Sequence, residues 1–106
     1  MPKYLLQVTY TVDGVKGLVK DGGSKRRAAA ATLVQSLGGK LEAFYFAFGK
    51  TDAVVIADLP DNMAAAAASL AVSGSGAGTS RITPLMTPEE VDQAVKKSGS
   101  YTPPGR

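Results

Sequence analysis

Tyr45 and Asp52 bracket the stretch "FAFGKT" (Phe46 to Thr51), so that a phenol and a carboxylate flank a turn. A carboxylate can take a proton or anchor a donor, and a phenol can donate a hydrogen bond to a polarised oxygen. Arg81 adds a permanent cation, and Gln7 an amide that both donates and accepts. Together these four describe a site for a small polar ligand, with Asp52 as base or anchor, Tyr45 as donor and Arg81 as anion partner. Each residue also has a plainer reading. Asp52 could cap the hairpin turn or pair with Lys50 or Arg81, Tyr45 could be a core aromatic with its hydroxyl at the rim, and Arg81 could guard an edge strand or make an interface ion pair.

Composition removes much other chemistry. Histidine, cysteine and tryptophan are all absent from the 106 residues. That excludes Ser-His and Cys-His nucleophiles, disulfides, thiolate or histidine-ligated metals and histidine-ligated haem. No cofactor and no metal is expected. The net charge of +3 is uneven: residues 1–50 carry eight basic and three acidic side chains, residues 51–106 four and six. The densest basic point, "SKRR" (Ser24 to Arg27), reads as a solvated helical turn, because a nucleic-acid surface would interleave aromatics or extend the stripe. "GSGAG" precedes a strand rather than a helix and so lacks the helix N-terminus that cradles phosphate. No apolar run approaches the ~20 residues of a membrane span, and "MPKYLLQVTY" lacks the pattern of a signal peptide, which makes a cytoplasmic location the expectation.

The elements that must position these residues follow from periodicity and punctuation. "KYLLQVTYT" (Lys3 to Thr11) alternates as a strand, and Thr11 caps a helix with Asp13 in its first turn. That helix is interrupted at "KDGGS" (Lys20 to Ser24), with Ser24 expected to cap its continuation up to Gly38 and Gly39. Strands are expected at Lys40 to Phe48 and Thr51 to Leu59, joined by a two-residue type II′ loop at Gly49 and Lys50. Asp61 caps an alanine-rich helix, Thr79 to Thr87 forms a fourth strand, and "TPEEVDQAVKK" has the cap and N-terminal proline of a last helix. The order β-α-β-β-α-β predicts an α+β, ferredoxin-like fold: a four-stranded antiparallel sheet in order 4-1-3-2 with both crossover helices on one face. Residues 1–97 form one domain on this reading, and 98–106 a polar tail.

A two-residue loop would place Phe48 opposite Thr51. Phe44, Phe46 and Phe48 then share a face with Val55, Ala53 and Thr51, while Leu41, Ala43, Tyr45 and Ala47 share the other with Asp58, Ile56, Val54 and Asp52. The phenylalanines, with Leu6, Val8, Ile82 and Met86, are expected beneath the helices. The second face collects Leu5, Gln7, Thr9, Tyr45, Val54, Ile56, Arg81, Thr83 and Leu85. Its aliphatic centre would forgo roughly 1.5–3 kcal/mol per uncovered side chain. A second copy, stacked face to face, would cover it, so a homodimer with a small-molecule cleft between its sheets is expected.

Several segments, "KY" (Lys3, Tyr4), "TVDGVK" (Thr11 to Lys16), "LGGK" (Leu37 to Lys40), "FY" (Phe44, Tyr45) and "GKTDAVVIADLPD" (Gly49 to Asp61), resemble the GYD-domain family, allied to the dimeric α/β-barrel superfamily. The resemblance implies the ferredoxin-like fold and a dimer, but no established reaction. The family is named for a Gly-x-Tyr-Asp turn, matched here by Gly49, Lys50 and Asp52, with Thr51 in place of the tyrosine. Three functions remain open: a dimeric binding or interaction module, a cofactor-independent isomerase or monooxygenase acting on a small organic substrate, and a weak polyanion binder.

Overall fold

Strand formers and helix caps set the order of elements. The computed structural model describes residues 1–106, in the order β1 (Lys3–Tyr10), α1 (Val12–Asp21), α2 (Gly23–Ser36), β2 (Lys40–Phe46), β3 (Ala53–Asp58), α3 (Asn62–Gly74), β4 (Gly78–Leu85) and α4 (Pro88–Lys96). The strands make one antiparallel sheet in order β2-β3-β1-β4, which is the expected order read from the other edge. Thr11, Asp61 and Thr87 are the caps their types predict, accepting the N–H groups of Gly14, Ala64 and Glu90. Ser24 is not a cap. Gly22, at φ 82°, separates α1 from α2, and Ser24 lies inside α2. One left-handed glycine redirects the chain in a single step, which leaves no loop for a second cap to close.

Alternation along the central strands divides the sheet. Tyr4, Leu6 and Val8 of β1 and Ala53, Val55 and Ala57 of β3 are buried on the side that carries the helices. Most of them cluster with Val34 of α2, Ala65 and Ala68 of α3, and Leu59, and Ile82 packs against the cluster from β4. The Tyr4 hydroxyl donates to Asn62 Oδ1 at 2.6 Å, so its burial leaves no polar atom unpaired. Helix α2 lies over β2, and α3 over β4.

The hairpin departs from expectation at both ends. Register follows the expected pairing from Phe46↔Ala53 to Ala43↔Ile56, then shifts between Ala43 and Leu41. This irregularity turns Leu41 opposite Ala57 and onto the core rather than the open face. At the other end both strands stop short of the turn, leaving Ala47 to Asp52 as a longer connection closed by Ala47 N–H to the Asp52 carbonyl at 2.9 Å. Gly49 has no positive φ, so the loop is not type II′. Phe44 and Phe46 meet edge to face at 5.0 Å, but Phe48 points fully into solvent. Met86, expected under the helices, follows the end of β4 and is also exposed.

Helix α4 stands apart. None of its residues is buried, it packs on no other element to more than a marginal extent, and Val91 and Val95 face solvent. The molecule measures 57 × 32 × 22 Å with a radius of gyration of 16.8 Å, against about 13 Å for a compact chain of this length. No helix is long and apolar enough to cross a membrane.

Candidate functional site

The helix-free face of the sheet holds most of the residues singled out from the sequence. Cross-strand pairing sets Tyr45 opposite Val54, Val54 opposite Gln7, and Gln7 opposite Arg81, so one row runs across all four strands. The next row is Ala43, Ile56, Leu5 and Thr83. Beyond it, Lys3 bridges the carboxylates of Glu42 at 2.8 Å and Asp58 at 2.9 Å, and these bonds raise its pKa. The face is therefore apolar at its centre and charged at one end, and no helix packs over it. Tyr45 and Arg81 occupy opposite edge strands. Three strand spacings separate their backbones by roughly 14 Å, too far for one small ligand to meet both unless the side chains lean inward.

Asp52 is placed differently. Its backbone N–H donates to the Val8 carbonyl at 2.9 Å, and its carboxylate accepts the Tyr10 N–H at 2.8 Å. Thr9 Oγ1 donates to the Lys50 carbonyl at 2.8 Å alongside it. These bonds fasten the hairpin loop to the end of β1. One carboxylate oxygen, Oδ1, is left without a hydrogen bond.

The helical side carries a second feature that the strand patterns did not reveal. Between α2 and α3 a cleft of about 220 Å³ opens down to the sheet. Its floor is Leu6, Val8, Ala53 and Val55, and alanines of both helices form much of its walls. Tyr10, Arg26 and Ser75 are the groups in its lining that carry side-chain polar atoms. Arg26 stands 3.5 Å from Asp21, and burial raises the Tyr10 pKa while the nearby Arg26 charge partly opposes the rise. The phenol therefore stays protonated, a donor, through the neutral range.

The family model described as GYD domain matches residues 4–95. The chain belongs to the GYD domain family. No curated protein and no solved structure matches it. In this GYD domain the aspartate of the turn binds loop to strand through its own carboxylate, an arrangement that does not require a tyrosine at Thr51. No cluster of acidic side chains large enough to hold a metal ion is present.

The sequence did contain a signal for the cleft. Alanine runs at Ala28 to Ala31 and Ala64 to Ala68 favour helix but supply little volume, and the large aromatics Phe44 and Phe46 sit on the edge strand β2. The central strands offer Val8, Ala53 and Val55, so the middle of the layer is left underfilled.

Proposed function

We propose that this GYD domain is a homodimeric binding module whose open sheet faces stack across a two-fold axis, leaving a small cleft between them. The observation that supports this reading is the aliphatic centre formed by Leu5, Val54 and Ile56, which are half-buried among their strand neighbours and have no helix packed over them. An uncovered apolar patch at the middle of a sheet, rimmed by polar residues, is the ordinary mark of an association surface. A two-fold contact makes the face complementary to itself, and its Tyr45–Gln7–Arg81 row supplies the polar contacts of the cleft. Asp52, with one carboxylate oxygen unused, borders that row as an anchor.

Light scattering of the purified full chain tests the association. Dimer mass at micromolar concentration, converted to monomer by Val54→Arg with the circular dichroism spectrum retained, is the expected result. A wild-type monomer under those conditions would overturn the proposal.

A further inference from the structure

We propose that the cleft between α2 and α3 binds a small monocarboxylate, its aliphatic or aromatic tail on Leu6, Val8 and Val55 and its carboxylate at Arg26 and Tyr10. All of these residues belong to one copy of the chain, so the inference is independent of the dimer.

Three observations converge on this ligand. The first is volume. An apolar cavity of about 150 Å³ accepts benzene, so the cleft's 220 Å³ suits a tail of roughly eight carbons. The second is the distribution of polarity. The floor, on Leu6 and Val55, is buried and apolar, whereas Tyr10, at the end of β1, lies near Arg26 in the first turns of α2. A ligand with one polar end and one oily end fits such a gradient, and one that is polar throughout does not.

The third is charge. Arg26 is half-buried, and its nearest carboxylate, Asp21, is 3.5 Å away, long beside the ~2.7–2.9 Å of a strong charge-assisted bond. Part of its guanidinium faces the Tyr10 oxygen, and the N–H groups beyond that contact can take an anion, with the protonated Tyr10 hydroxyl as a further donor. Lys25 and Arg27 on the same turn add to the positive field; Asp21 is the carboxylate paired to this cluster, and the Asp52 charge also reaches Tyr10, so Arg26 is the principal anion contact. A neutral head would gain a hydrogen bond here without the charge attraction, and a cationic head would face Arg26 unfavourably.

Octanoate and 3-phenylpropionate, titrated into the full chain with calorimetry and amide chemical-shift mapping, test the proposal against 1-octanol and octylammonium. Both acids should bind more tightly than either control, with shifts at Leu6, Val8 and Arg26. Arg26→Gln should weaken octanoate about tenfold and leave octanol unchanged. Ala29→Leu and Ala71→Leu place bulk at exposed lining positions, where the fold has room, and should reduce binding of every tail. Equal affinity for octanoate and octanol, an unchanged Arg26→Gln variant, shifts confined to the Tyr45–Val54 face, or no binding at millimolar acid would each overturn it.

Discussion

The Asp52 carboxylate accepts the Tyr10 backbone N–H at 2.8 Å, joining positions 42 residues apart in the chain. It holds the β2–β3 loop against the end of β1 and satisfies a donor for which the sheet supplies no other partner. Replacing Asp52 by Ala leaves that N–H unpaired and should cost about 1–3 kcal/mol of stability, read as a lower midpoint in urea. Asp52→Asn keeps an acceptor oxygen and should recover most of the loss. Normal stability in Asp52→Ala would show that water replaces the carboxylate at the Tyr10 N–H without cost.

Two glycines of α1 should respond in opposite directions. A Cβ on Gly14 would lie 1.9 Å from the Ala77 carbonyl oxygen, whereas a Cβ on Gly17 meets nothing within 4 Å. Gly14 lets the first turn of α1 approach residue 77, where Thr11 N–H donates to the same carbonyl at 3.0 Å. Gly14→Ala should destabilise by about 2–3 kcal/mol, and Gly17→Ala should stabilise by up to about 1 kcal/mol. Thermal denaturation of the pair provides the comparison.

Alkaline pH should weaken the fold. Hydrogen bonds to Glu42 and then Asp58 raise the Lys3 pKa, and burial raises that of Tyr10. In both cases the folded protein holds its proton more tightly than the unfolded chain does. Their stabilisation is complete below about pH 10 and is lost as pH climbs through the raised folded-state values. Tyr10→Phe and Glu42→Gln should each flatten the decline in denaturation midpoint measured from pH 9 to 12.

Much of this architecture was legible in the sequence because local chemistry and global fold agree. Thr11, Asp61 and Thr87 announce helix starts by their oxygens, and alternation in β1 and β3 assigns inner and outer faces correctly. What escaped lies where no local pattern decides. The shift between Leu41 and Ala43 costs the hairpin one step of register, and nothing in "KLEAFYF" distinguishes it from a regular strand. Phe48 looks like core by type, but both strands stop before it, because Asp52 is committed to β1 instead of to a tight turn. The candidate row of Tyr45, Gln7 and Arg81 follows from register alone. The cleft at Arg26 depends on how far apart two alanine-rich helices sit, a distance that side-chain volume sets only after the sheet has formed.

The isolation of α4 has a thermal and a proteolytic consequence. A nine-residue helix is marginal alone in water, and here a capping box and Pro88 do most to define its start. Its helicity should fade on warming well before the sheet melts, giving an early, shallow loss of ellipticity below the main transition. Trypsin should cut at Lys96 and Lys97 while Lys40, paired in β2 with Asp58 of β3, is still protected, and the trimmed product should melt at the parent's main midpoint.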